Sequence, residues 1–161
     1  KAGKEGRIIL KMNALQDPAM IERLYEASQA GVQIDLIVRG ICCLKPNQPY
    51  SENIRITRIV DSFLEHSRVW YFGNNGRPKL FLCSPDFMRR NLYRRIEAVT
   101  PVLNKDIKAQ LIKMLHIQLA DKRKASFVDE HLQHQWKSPN PQQEAIRSQY
   151  TFYDYLKDLN K

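Results

Sequence analysis

Residues 7–40, RIILKMNALQDPAMIERLYEASQAGVQIDLIVRG, decide the architecture. Arg7–Met12 is an apolar run bounded by the polar loop Asn13–Asp17, the pattern of a buried strand. Asp17 suits a helix N-cap and Pro18 the first helical position. Met20, Ile21, Leu24, Ala27 and Ala30 then recur at helical spacing until Gly31 stops the helix. Val32–Val38 is rich in β-branched residues and closes at Arg39-Gly40, a second strand. Strand, helix and strand make a βαβ unit with parallel strands, and ligands bind in the loops at the carboxyl ends of such strands. Asn13 and Arg39 fall there.

Working outward, Ile41–Leu44 stays apolar, and Lys45–Tyr50 breaks regular structure with two prolines and reads as a loop. Ile54–Val60 alternates as a strand, with Ile54, Ile56 and Arg58 on one side, and Phe63-Leu64 packs just ahead of His66. Val69–Phe72 and Lys79–Cys83, joined by the Gly73–Pro78 turn, form a hairpin, and Ile96–Val102 is one more strand, with Pro101 suited to its end. Asn104 caps a packing helix whose Ile107, Leu111, Ile112, Leu115 and Leu119 share a stripe. Asp121–Pro141 is polar, with a short edge strand at Ala125–Val128, and Gln142–Leu159 is a final helix. The expected fold is α/β: an α+β-like mixed sheet flanked by helices, in a single domain over residues 1–161. Its core is expected over about 7–120 and a C-terminal helical extension over about 141–159. Nothing beyond about Asp121 points to a function.

With 161 residues, 43% of them hydrophobic, the chain is large enough to bury roughly 70% of its unfolded surface, so a folded domain is expected. A net charge of +9 attracts polyanions or acidic surfaces without choosing among them. Three cysteines, two adjacent at Cys42-Cys43, make no even disulfide framework and have no metal-site spacing, which suits a reduced, cytosolic setting. No apolar run approaches the ~20 residues of a membrane helix. The lead Lys1–Gly6, without an initiator methionine, reads as the start of a domain within a longer protein.

The chemistry gathers in residues 64–95, LEHSRVWYFGNNGRPKLFLCSPDFMRRNLYRR. His66 lies just before the first hairpin strand and Ser84 just after the second, so the two should converge at one edge, with Asp86, Arg89, Arg90, Arg94 and Arg95 close behind. An imidazole exchanges protons near neutral pH or attacks phosphorus, and guanidinium forks match phosphate oxygens. Phosphoryl handling is the chemistry suggested. Blander roles stand beside it. Arg39 has Asp35, Glu52 and Glu65 as candidate partners, and Glu97 and Asp86 are expected to pair part of the arginine run. Glu97 suits orienting arginines better than acting as a base. His116, His131 and His134 read as non-catalytic, and Cys42-Cys43 as packing.

ILKMNAL, the loop into Asp17-Pro18, IDLIVRGICCL, SENIR, FLEHSR and the run S-x-D-F-M-x-R-N-L-x-R-R-x-E occur in fixed order. Together they resemble the C-terminal catalytic domain of bacterial polyphosphate kinase, continuously from about Arg7 to Val102. The resemblance implies a phospholipase-D-like domain, one of two that face each other. It also implies an ATP:polyphosphate phosphotransferase that reversibly moves the terminal phosphate of ATP onto polyphosphate through a phosphohistidine. That histidine, and the arginines of the magnesium (Mg2+) site, belong to the preceding domain, so no metal ligand is expected here and the isolated domain should fold yet be inactive. By the same resemblance Arg39 and His66 sit beside the nucleotide phosphates, with His66 catalytic. Arg90, Arg94 and Arg95, together with Ser84 and Asp86, support the site or line the polyphosphate path. ATP, ADP, polyphosphate and the rest of the same polypeptide are the implied partners. A homo-oligomeric, cytoplasmic parent, peripheral at the inner membrane and without specific nucleic acid, completes the expectation.

The H-x-R and S-x-D of residues 66–68 and 84–86 are similar to the H-x-K and G-S-x-N of the phospholipase D superfamily. Arg68 stands in the lysine position and Asp86 where asparagine is commoner. Cys83, Pro85, Phe87 and Arg89 replace the family's usual glycine, alanine, tryptophan and proline. Cys83 matters most, because glycine there allows closer backbone approach to a ligand. Two further classes stay open. A phosphodiesterase or nuclease half-site would need the lysine that is absent, and a non-catalytic polyanion-binding module would need aromatics among its arginines, where only Tyr93 occurs.

Overall fold

The computed structural model describes residues 6–136 and 145–159. The βαβ reading holds: β1 (Arg7–Met12) and β2 (Gln33–Val38) are parallel, with α1 (Pro18–Gln29) crossing between them. Asp17 caps α1 by accepting the Met20 N–H at 3.1 Å, and Gly31 ends it in the left-handed conformation, φ 86°. β3 (Ile54–Ile59) continues the parallel set after a loop that contains no helix. β4 (Val69–Phe72) and β5 (Lys79–Cys83) form the expected antiparallel hairpin. Its turn places Asn74, Asn75 and Gly76 at positive φ, which these residue types tolerate.

Eight strands make one mixed sheet in the order β6-β5-β4-β1-β2-β3-β7-β8, where β6 is Val99–Pro101, β7 Ala125–Val128 and β8 His134–Trp136. One face packs Leu10, Met12, Leu36, Val38 and Ile56 under Leu24 of α1. The other packs Ile9, Ile37, Ile59, Val69 and Leu80 under Met114 and Leu115 of α3 (Lys105–Leu119), with Phe152 of α4 (Ser148–Leu159) beside them. No described helix is long and apolar enough to cross a membrane.

Five local expectations change. Phe63 and Leu64 are largely exposed rather than packed ahead of His66, because the segment that carries them has no helix or strand to hold them against the core. Ala125–Val128 is not an edge strand: it lies between β3 and β8, so the sheet extends past residue 120. The strand expected over Ile96–Val102 shortens to Val99–Pro101, and Ile96 is fully exposed. The arginine run contains a short helix, α2 (Arg89–Arg94), for which its polar residues show no apolar stripe. Of the helix expected from Gln142, residues 142–144 lie outside the described residues, while 145–147 are not helical and α4 begins at Ser148.

Candidate active site at the carboxyl edge of the parallel strands

β4 runs antiparallel to β1, with Lys11 opposite Val69, so residues 66–68 arrive where β1 and β2 end. Loops from three parts of the chain are tied together there. Leu15 N–H donates to Ile41 O at 2.9 Å and Cys43 N–H to Leu15 O at 2.8 Å, while Gln16 and Asp17 N–H groups both donate to Phe87 O. Gly40 N–H donates to Asn13 O at 2.8 Å, and a Cβ at Gly40 would stand 2.9 Å from that oxygen. Glycine at 40 therefore lets the loops behind Arg39 and Asn13 close up. Asn13 itself is buried, and its side-chain amide has no hydrogen-bond partner among the described residues.

Arg39, Gly40 and the segment 58–65 line a cavity of about 430 Å³. Arg39 is half-buried, and among the described residues its guanidinium has no carboxylate partner. The partners weighed for it are otherwise engaged: Asp35 pairs with Arg7, and Glu65 with Lys11 at 2.8 Å. The Lys11 ammonium is buried to 1% exposure near the carboxyl end of β1. Burial pushes its pKa down, against the pull of Glu65 upward, and the charges of Arg39 and Arg68 press it further down. The charges of Arg39 and Arg68 thus both act on one buried lysine.

His66 follows directly on Glu65, outside the cavity lining. Its imidazole is exposed and has no hydrogen-bond partner among the described residues, while its carbonyl accepts from Arg68 at 3.1 Å. The two hairpin ends do lie side by side, with Cys83 N–H donating to Arg68 O at 3.0 Å. The Ser84 and His66 side chains go separate ways, however. Ser84 donates its hydroxyl to Glu97 and accepts the Ala98 N–H at 2.9 Å, so it pins the turn before β6. The Ser84 hydroxyl, then the Asn91 amide, hold the Glu97 carboxyl below the usual carboxylate range.

Asp86 is buried and does not pair with the arginine run. Its carboxylate takes a two-point contact from Arg68 and the N–H groups of Asn13 and Ala14, at 2.7 and 3.3 Å. Of the run itself, Arg90, Arg94 and Arg95 are all exposed, and Arg95 stands 3.8 Å from Glu97. Arg89 and Arg94 line a separate depression with Asp17, Pro18 and Tyr93, beneath α1.

A scan against protein families matches residues 1–149 to the polyphosphate kinase C-terminal domain 2. The chain belongs to the polyphosphate kinase family. The polyphosphate kinase of Halalkalibacterium halodurans is 48% identical over 155 residues, 96% of this chain and 22% of that protein. That of Thermosynechococcus vestitus is 54% identical over 124 residues, 76% of this chain and 17% of that protein. The crystal structure of polyphosphate kinase from Porphyromonas gingivalis superposes with a TM-score of 0.95 at 51% identity, covering 98% of this chain and 24% of that one. The chain therefore spans about a fifth of the length of the curated relatives it matches. Nuc of Salmonella typhimurium, a phospholipase D family member, shares the fold at TM-score 0.58 and 12% identity. The phospholipase-D-like mixed sheet expected from the motifs is thus the fold observed.

Lys11 is a residue beside Arg39 that sequence reasoning passed over, and Glu65, weighed as a partner for Arg39, pairs with Lys11 instead. A lysine inside the apolar run RIILKM was a legible signal of a buried charge needing a partner. Its partner, 54 positions away, was not legible. Among the described residues no group of three or more His, Cys, Asp or Glu side chains gathers to hold a metal. These described residues do not fit a magnesium site by themselves.

Proposed function

We propose that this domain supplies one wall of the phosphoryl-transfer site of a polyphosphate kinase acting on ATP and polyphosphate. The observation that carries the reading is Arg39. It lines the 430 Å³ cavity together with Arg58, and among the described residues neither has a carboxylate beside it, although Arg58 meets the His134 ring at 3.1 Å; Arg7, Arg68, Arg147 and Lys11 are each neutralised. An unneutralised, half-buried guanidinium keeps its full affinity for a phosphate.

In this reading the bond from the terminal phosphorus of ATP to its bridging oxygen breaks as a bond to a histidine nitrogen of the preceding domain forms, and ADP leaves. The phosphohistidine bond then breaks as a terminal polyphosphate oxygen bonds to the phosphorus. Arg39 neutralises charge on the transferring oxygens, and His66, with its free imidazole, stabilises or protonates the opposite side. Asp86 and Ser84 act as support, and exposed Arg90, Arg94 and Arg95 offer a path for the polyanion. Magnesium is held outside this domain. Residues 1–161 act as one domain of a homo-oligomeric cytoplasmic enzyme, peripheral at the inner membrane, without specific nucleic acid. The diester-cleaving alternative is disfavoured because Arg68, in the position of the superfamily lysine, is spent on Asp86.

The test is binding of ATP and of long-chain polyphosphate across a salt series, with Arg39→Ala, His66→Ala and Lys157→Ala side by side. Binding that weakens with salt, and far more with Arg39→Ala than with Lys157→Ala, is the expected result. Indifference to Arg39→Ala, with nucleic acid preferred over polyphosphate, would replace the kinase reading with that of a general basic surface.

A further inference from the structure

Residues 61–66 carry the chain from β3 to His66 without helix or strand structure, and Phe63 and Leu64 on this segment are 66% and 71% exposed. Such a segment has neither a ladder nor a core to define its path. It is held from outside by the first turn of α4. Arg147 makes a two-point contact with Asp61, Nε to Oδ2 at 2.9 Å and a terminal nitrogen to Oδ1 at 2.6 Å, and donates to Ser62 Oγ at 2.9 Å. Gln149 then grips Phe63 on both sides of its backbone: the Phe63 N–H donates to Oε1 and Nε2 donates to the Phe63 carbonyl, each at 2.8 Å. A primary amide presents a donor and an acceptor side by side, as this grip requires.

The same Nε2 also donates to Glu65 Oε1 at 2.8 Å. Glu65 Oε2 accepts from Lys11 and Gln118, both at 2.8 Å. The residue immediately before His66 is therefore fixed from β1, α3 and α4 at once. α4 in turn is anchored at Asp121, fully buried, which accepts the Ser148 N–H at 2.8 Å and the N–H groups of Arg123, Lys124 and Ala125.

We propose that Gln149, seconded by Arg147, is a positioning residue for His66: the C-terminal helix belongs to the catalytic machinery by fixing the 61–65 segment. The proposal rests on the reading of His66 as a group at the reaction centre. Gln149 touches no reacting atom. It defines where the imidazole stands relative to Arg39, and displacement of a catalytic group by about 1 Å costs up to about 100-fold in rate.

The experiment uses a full-length polyphosphate kinase carrying this sequence, with Gln149→Met, His66→Ala, their combination, and Lys157→Ala as a control. Methionine keeps the length of glutamine and removes all three hydrogen bonds. Gln149→Met is expected to lower kcat about 10- to 100-fold, with KM for ATP and the thermal midpoint close to wild type. The double variant is expected to be no slower than His66→Ala. Should Gln149→Met fold poorly, Arg147→Met, altered at a side chain about one-third exposed, is expected to lower kcat in the same sense. The proposal is overturned by wild-type kcat in the folded variant, or by losses from Gln149→Met and His66→Ala that multiply. Full activity of His66→Ala would remove the premise instead, and a rate lost with His66→Ala but kept with Gln149→Met would remove the positioning role alone.

Discussion

Arg68 and Asp86 meet in a buried two-point ion pair, Nε to Oδ1 at 3.1 Å and the terminal nitrogen to Oδ2 at 3.0 Å. These are the two positions at which the H-x-R and S-x-D of this chain were expected to depart from the pattern they resemble, and the two side chains satisfy each other. The pair ties the residue two after His66 to the Asn13-Ala14 backbone through the same carboxylate.

Removing either partner strands the other, since their side chains are only 14% and 7% exposed. Arg68→Ala and Asp86→Ala are each expected to lower folding stability by about 3–5 kcal/mol. The double variant should cost clearly less than the sum, as measured by urea unfolding. Single losses below about 1 kcal/mol would mean that the pair is not what holds these loops.

Acid should unfold the domain through three carboxylates. Arg147 holds Asp61 below the usual value of 3.8. Burial pushes Asp86 and Asp121 upward, but Arg68 and the Asn13 N–H outweigh it at Asp86, and the Lys124 and Ser148 groups at Asp121, so both are also lowered. A depressed folded pKa gives stability that is present above the unfolded value and lost as pH falls through the folded one. Unfolding free energy from these groups is expected to be flat from pH 7 to about 5 and to fall below about 4. Asp121→Asn should lower the neutral value and flatten the fall; an unaltered acid limb in that variant would refute this account.

Cysteine reactivity should separate by site. Burial pushes the Cys83 thiol up to about 12 and Cys42 up to about 11, whereas Cys43 is exposed. At pH 8 only about one Cys83 in ten thousand is thiolate. Iodoacetamide is expected to modify Cys43 first and to leave Cys83 intact until the chain unfolds, as read by mass spectrometry of peptides. Early loss of Cys83 would show that this position is open to ligands.

Gly40→Ala places a methyl group against the Asn13 carbonyl, which is backbone and gives way only if the loop moves. A loss of about 1–3 kcal/mol is expected. Weaker ATP binding should accompany it, because Arg39 shifts with the loop. Binding and stability equal to wild type would show that the loop has room to spare.

Much of the fold was legible because its signals are local. Asp17, Pro18 and Gly31 bound α1 through cap chemistry, and the β-branched run to Val38 specifies a strand whatever it pairs with. The Asn74-Asn75-Gly76 turn announces the hairpin in the same way. Arg39 and His66 were singled out by their place at strand ends and by motif order, a signal of family membership. The short strand β8 and the helix α2 escaped notice because three to six polar residues carry no usable period.

By itself, then, the sequence determined the βαβ start, the hairpin, the packing helix and the family, since caps, periodicity and ordered motifs act over a few residues. Only the tertiary structure decided which charges are neutralised. Arg68 meets Asp86 across 18 positions, Lys11 meets Glu65 across 54, and Arg147 meets Asp61 across 86, while Arg39 meets no carboxylate among the described residues. Ion pairing depends on distance in space, which the chain sets only by folding, and that is why the lack of a carboxylate beside Arg39 among the described residues, and the C-terminal helix that holds the approach to His66, appear only once the strands and α4 stand together.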